Sequence, residues 1–210
     1  MKNAVKSRGQ DMQTTILEVA ERLFAEIGFE KTTVADIARE MHMSPANVYR
    51  FFSSKAEINE AAARRLLAEV VATVAKIASA AEPAEDKLRA FLAGLEKANA
   101  DRFLNHRKLH ELVEAAFDEN WPPAKEHVEA ITGLLSEILS QGDCDGAFSV
   151  GDCDLGAILV RSACMQFYHP RLMVECAQDP EPTLDQMVDF CLNALSRGAP
   201  AKKAHARIVA

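Results

Sequence analysis

Apolar residues return every third or fourth position along almost the whole of this chain, and that spacing restricts the fold to packed helices. Near the N terminus Ile16, Val19, Ala20, Leu23, Phe24 and Ile27 fall on one helical face. Val128, Ile131, Leu135, Ile138 and Leu139 repeat the pattern, as do Leu184, Met187, Val188, Cys191 and Leu195. No convincing strand alternation competes with it. Val70, Val71 and Val74, the β-branched residues that could favour a strand, sit in an alanine-rich stretch, 56–81, that keeps helical spacing. Breaks fall at Glu82-Pro83, Pro122-Pro123, the Gly142–Gly146 turn and the Asp179–Pro182 segment, where Pro or Gly chemistry stops a helix. An all-α protein of about nine helices is expected.

The chain has 210 residues, 49% hydrophobic and 26% charged, enough to bury a sizeable core and unlike a disordered sequence. No apolar run approaches the roughly 20 residues of a membrane helix, and the first 15 residues lack the apolar segment of a secretory signal, so a cytoplasmic protein without a membrane partner is expected. Cys144, Cys153, Cys164, Cys176 and Cys191 are odd in number and never form a CxxC pair. They read as small apolar side chains rather than a disulfide or zinc framework. The net charge of −7 divides unevenly. Residues 1–60 carry 8 Lys+Arg against 9 Asp+Glu, and residues 61–210 carry 16 against 22. Any phosphate binding must therefore use a few placed cations and backbone amides rather than a broad positive field.

Three helices are compressed into residues 33–58. Thr33 precedes Val34 with Asp36 three residues on, an N-cap pattern, and Val34, Ile37, Ala38 and Met41 form one buried face. The turn Met41-His42-Met43 leads to Ser44-Pro45, where Ser caps and Pro takes the first helical position. That helix is expected over about Pro45–Phe51. Ser54 with Glu57 then forms a capping box for a long helix. Gly28 ends the preceding helix, with Phe29 placed to pack back on it. Two short helices joined by a three-residue turn and braced by longer ones make a helix-turn-helix, whose second helix enters the DNA major groove. Val48 and Phe51 or Phe52 point inward by spacing, leaving Ser44, Ala46, Asn47 and Arg50 outward and Tyr49 at the flank. Asn and Arg side chains can make two-point hydrogen bonds to adenine and guanine edges.

At these residues the sequence resembles the TetR/AcrR transcriptional regulators. The likeness lies in Gly28-Phe29, in Thr32–Ala38 (TTVADIA) and in Ser44–Ile58 (SPANVYRFFSSKAEI), and it covers about residues 12–60. It implies that Thr33, Tyr49 and Lys55 hold phosphates, and that the exposed residues from Ser44 through Pro45, Ala46 and Asn47 to Arg50 read bases. Pro45 departs from the polar residue common there in the family. The resemblance also implies a dimer formed through the last two long helices, a pseudo-palindromic double-stranded operator and a small-molecule effector held in the C-terminal domain. The expected organisation is a flexible arm over 1–11, the DNA-binding domain over 12–60, a ligand-binding and dimerisation domain over 61–198 and a flexible tail over 199–210.

Leu155, Ile158, Leu159, Ser162 and the stripe from Leu184 to Leu195 offer apolar surface for the dimer. Phe103, His106, His110, Phe117, Trp121, Met165, Phe167, Tyr168 and His169 combine aromatic or thioether bulk with polar tips and are the candidate lining of the effector site. The spacing of His106, His110 and Glu114 would align two imidazoles and a carboxylate on one helix, but ligands from one helix rarely suffice, so no metal is expected. No nucleophile, base and orienting group come together by spacing, so neither catalysis nor a cofactor is expected. The reading is a ligand-responsive dimeric repressor. The alternative is a helical ligand-binding or interaction protein that does not bind an operator.

Overall fold

The computed structural model describes residues 2–179 and 181–196, with side chains from Asp11 onward. Eleven helices and no strands occur among them: α1 (Lys2–Ile27), α2 (Val34–Glu40), α3 (Pro45–Val48), α4 (Lys55–Ala78), α5 (Ala84–Asn105), α6 (Arg107–Asp118), α7 (Pro122–Cys144), α8 (Cys153–Ala163), α9 (Met165–Tyr168), α10 (Leu172–Glu175) and α11 (Leu184–Ser196). The two beyond the expected nine are the single turns α9 and α10, too short to show a periodic stripe. The backbone is already helical from Lys2, across residues assigned in sequence to an arm. The tail at 199–210 lies outside the described residues.

Contacts divide the chain into two compact units, one of residues 1–70 and 98–127 and the other of 71–97 and 128–210. This division is discontinuous, unlike the division expected from the sequence at residue 60, because helices α4, α5 and α7 each contribute to both units.

In the first unit Ile16, Ala20, Leu23 and Phe24 of α1 meet Ile37 and Ala38 of α2, Val48 of α3, Ile58 to Leu67 of α4 and Leu112 to Ala116 of α6. Each large side chain buried there contributes about 1.5–3 kcal/mol. Ile27 departs from the expected stripe: it is 42% exposed, and Gly28, with φ +92°, ends the helix by donating to the Phe24 carbonyl at 2.9 Å. Phe29 packs against the core that the α1 residues share and meets Trp121 edge-on at 6.4 Å. Met43 N–H donates to Ala38 at 2.9 Å and His42 N–H to Arg39 at 3.1 Å, with His42 at φ +54°. This Schellman closure makes the turn between α2 and α3 sharp without a glycine.

In the second unit α8 packs on α11, and Leu88, Phe91, Leu92, Leu135, Ile138 and Leu139 are buried. Lys87 Nζ donates to the Ala78 carbonyl at 2.9 Å and to Gln141 Oε1 at 2.7 Å, satisfying the end of α4. Helix α7 ends within the expected Gly142–Gly146 turn, running on to Cys144, with the reversal at Gly146 at φ +75°. Gly142 is needed because a Cβ there would lie 2.1 Å from the Phe148 ring. The α11 stripe expected on the dimer surface is also relocated. Leu184, Val188, Cys191, Leu192 and Leu195 are buried within the chain. On α8 the expected Ile158 and Leu159 are exposed, at 44% and 45%, and on α11 the exposed apolar residue is Phe190 at 68%.

Candidate functional site

The helix-turn-helix is built by caps. Thr33 Oγ1 accepts from the Asp36 N–H at 3.1 Å, while an Asp36 carboxylate oxygen accepts from Thr33 N–H at 2.9 Å and Thr33 Oγ1 at 2.6 Å. The Thr33 hydrogen bonds hold the Asp36 carboxyl below its ordinary range, with Arg39 at 2.6 Å assisting. Thr33 itself stays exposed. Ser44 holds the N-cap position of α3 in extended conformation, but its hydroxyl makes no capping bond, contrary to expectation. Pro45 starts the helix by its fixed φ.

The regular part of α3 ends at Val48, three residues earlier than expected, because the chain then tightens into three-residue bonds from Arg50 to Asn47 at 3.3 Å and from Phe51 to Val48 at 2.9 Å. Val48 is fully buried and Phe52 is 5% exposed, while Phe51 is half-buried. Gln13 on α1 donates to the Phe51 carbonyl at 3.1 Å and so fixes the exit from α3. Around Val48 the outer surface is bare: Ser44, Pro45, Ala46, Asn47 and Arg50 are exposed, and Tyr49 is 50% exposed.

Lys55 begins α4 and is half-buried. Its ammonium donates to the Glu30 carbonyl at 2.8 Å, tying α4 to the turn between α1 and α2. The expected capping box is shifted by one residue. Ser54 Oγ accepts from Glu57 N–H at 3.1 Å, but Glu57 accepts from the N–H of Ser53 at 2.5 Å and from its hydroxyl at 2.7 Å. Those bonds from Ser53 lower the Glu57 pKa.

The nine candidate effector residues fall into both units. Phe103 and His110 meet edge-to-face at 5.2 Å, with His110 fully buried and Arg107 over the Phe103 ring at 4.4 Å. Phe117 meets His127 edge-to-face at 6.0 Å. Trp121 is half-buried and donates from Nε1 to Glu119 at 2.9 Å. In the second unit Met165 and Phe167 are half-buried, the Tyr168 hydroxyl donates to the Arg161 carbonyl at 2.7 Å, and His169 Nδ1 accepts from Arg171 N–H at 3.3 Å. His106 is exposed at the non-helical junction before α6, so the His106, His110 and Glu114 row is broken; no metal-holding cluster is found among the described residues. A cavity of about 430 Å³ lies between the turn after α1 and helix α6, and none of the nine residues lines it. Its rim includes Glu30, Glu111, Glu114 and Asp118.

Two residues absent from the sequence-derived set stand out: Arg102, 8% exposed, and His127, 9% exposed. Arg102 donates to Asn99 Oδ1 at 3.0 Å and to the Leu66 carbonyl at 3.3 Å. A charged residue on a helix reads as solvated in sequence, and only packing reveals it as interior. His127 is held neutral: burial first, then the Arg102 charge, push its pKa down to about 4, against a hydrogen bond to the Leu67 carbonyl. The folded state thus binds fewer protons than the unfolded one below the ordinary histidine pKa. Its contribution is present above about pH 6.5 and is lost as pH falls toward 4, roughly 3 kcal/mol in all. Glu21 and Glu96, raised by burial, act in the opposite sense. Urea denaturation at pH 7 and pH 4.5 is expected to show a larger stability loss for wild type than for His127→Asn; equal losses would count against this assignment.

A helix-turn-helix whose second helix presents an unobstructed polar face defines a DNA-binding regulator. Residues 16–62 match the bacterial regulatory proteins of the tetR family, and residues 84–188 match the tetracyclin repressor-like C-terminal domain. The chain belongs to the tetR family of transcriptional regulators. Among solved structures it is similar to a putative tetR-family regulator from Mesorhizobium loti, with TM-score 0.66, 18% identity, and coverage of 90% of this chain and 96% of that one. It is also similar to the fatty acid degradation regulator FadR from Bacillus halodurans, at TM-score 0.60, 19% identity and coverage of 87% and 93%. SmeT, the repressor of the Stenotrophomonas maltophilia multidrug efflux pump SmeDEF, matches at TM-score 0.59, 16% identity and 87% of both chains. These likenesses show the fold. No curated protein matches the chain by sequence. None of the described helices is long and apolar enough to cross a membrane.

Proposed function

We propose that this regulator is a ligand-responsive, dimeric, cytoplasmic repressor that reads a pseudo-palindromic operator. The observation that carries the operator reading is the bare outer surface of the segment around Val48, where Ser44, Pro45, Ala46, Asn47 and Arg50 are exposed. Asn47 and Arg50 have side chains suited to base edges, and small Ala46 lets the backbone approach. Thr33 and Tyr49 flank the segment as phosphate contacts. Lys55 adds a third: its ammonium has three donors, of which the Glu30 carbonyl engages one. Repression is supported by the likeness to SmeT. Ligand release of the operator requires an effector that favours the conformation whose recognition helices misfit two successive major grooves.

The dimer is assigned to the outer faces of α8 and α11, supported by the exposed Ile158, Leu159 and Phe190. A C2 pair of these faces would set the spacing of the two recognition helices, about 34 Å for adjacent grooves.

Sites selected from random DNA, followed by binding measurements over a salt series, test the operator reading. Arg50→Ala is expected to weaken the selected site by about 1–3 kcal/mol and relax preference at one base pair. Lys55→Ala is expected to weaken all sequences alike and lower the salt slope. If neither substitution changes binding, or no DNA is retained by the folded protein, a helical ligand-binding or interaction protein becomes the better reading.

A further inference from the structure

In the buried polar pair of the first unit, Arg102 rests on neutral oxygens and His127 leaves one ring nitrogen without a hydrogen-bond partner among the described residues. Arg102 carries its charge into an interior where its guanidinium donates to two neutral oxygens, Asn99 Oδ1 and the Leu66 carbonyl. Glu69 opposes the resulting desolvation electrostatically, but desolvation is the larger effect and lowers the Arg102 pKa. His127 points its hydrogen-bond donor at the Leu67 carbonyl, while its Nδ1 is buried without a partner. A neutral imidazole nitrogen in that state is an acceptor lacking a donor. The edge-on contact of Phe117 with His127 adds an aromatic face beside the imidazole.

These groups are complementary to a particular ligand chemistry. A buried cation held by neutral oxygens gains strongly from an arriving anion, and guanidinium geometry matches a carboxylate by paired hydrogen bonds. An acceptor beside it is satisfied by a hydroxyl. We propose that Arg102 and His127 form the head-group site of the effector, and that the effector is a small hydroxylated carboxylic acid. Its carboxylate takes the Arg102 guanidinium and its hydroxyl donates to His127 Nδ1. The proposal rests on the ligand-responsive reading above and names the chemistry of that ligand. It also offers a link to DNA: the carboxylate competes with the Leu66 carbonyl for Arg102, and Leu66 lies on α4, the helix whose first residue, Lys55, holds the turn after α1.

The full chain is titrated with 2-hydroxybenzoate and 3-hydroxyoctanoate, each beside its primary amide and its acid lacking the hydroxyl, by calorimetry and thermal shift. At least one hydroxy acid is expected to bind, about tenfold or more tighter than its amide. Arg102→Met is expected to remove that preference. His127→Phe is expected to retain carboxylate binding but lose the advantage of the hydroxyl. Should Arg102→Met not fold, Arg102→Lys, which keeps the charge and loses the fork, must weaken acid binding while sparing the amide. The proposal is overturned if no acid binds, if amides bind as tightly as acids, or if Arg102→Met and Arg102→Lys both bind the acids like wild type. Operator release by cell extract with none of these acids active would sink this proposal alone. If neither extract nor acid releases the operator, the ligand-responsive reading falls with it.

Discussion

Phe24→Ala is expected to destabilise the first unit by about 3–5 kcal/mol and, with it, to abolish stable presentation of the helix-turn-helix. Phe24 is fully buried at the centre of the core that α1 shares with α2, α3, α4 and α6. Deleting its ring removes the transfer free energy of the phenyl group and leaves a void that a helical interior fills only in part. Few domains have more than 5–15 kcal/mol to lose. The recognition segment depends directly on this core, since Val48 and Phe52 are its anchors there and its own helix is a single turn. Urea denaturation measures the loss, with operator binding followed in parallel. The comparison is Phe190→Ala: a phenyl 68% exposed should cost the isolated chain less than about 0.5 kcal/mol. Similar losses at the two positions would contradict the burial pattern described here.

The second large effect is expected at the outer faces of α8 and α11. The double substitution Ile158→Asp with Phe190→Asp places carboxylates where two apolar side chains stand exposed. If those faces meet their copies in a dimer, four carboxylates per dimer would have to be desolvated in mutual proximity. Such burial costs several kcal/mol per unpaired charge before repulsion is added. The dimer dissociation constant should rise by more than about a hundredfold, giving a monomer in light scattering at micromolar concentration. Operator affinity should collapse with it, because each half-site contact would then act alone. The monomer should keep its helical circular dichroism, since both positions are at the surface. A dimer that survives with operator binding intact would move the interface elsewhere.

The sequence by itself determined the all-helical class and the location of the helix-turn-helix. Both follow from local rules: periodic apolar spacing, the reciprocal cap of Thr33 and Asp36, and proline at the start of α3 are encoded within a few residues of where they act. Even there some details depended on neighbours. The Glu57 carboxylate prefers Ser53 to Ser54, Ser44 leaves its hydroxyl outside the cap, and α3 tightens after Val48 while Gln13 engages Phe51.

Tertiary structure decided which side of each helix faces inward and which polar residues are interior. A helical stripe announces an apolar face but not its partner, so the α11 residues from Leu184 to Leu195 could equally have met a second subunit. Packing against α8 buries them and leaves Phe190 outside. Arg102 and His127 carry no local mark of burial, since an Arg or His on a helix is ordinarily solvated. Contacts with Asn99, Leu66 and Leu67 place them inside. Long-range packing alone makes those two polar side chains interior, because burial depends on what arrives from distant parts of the chain.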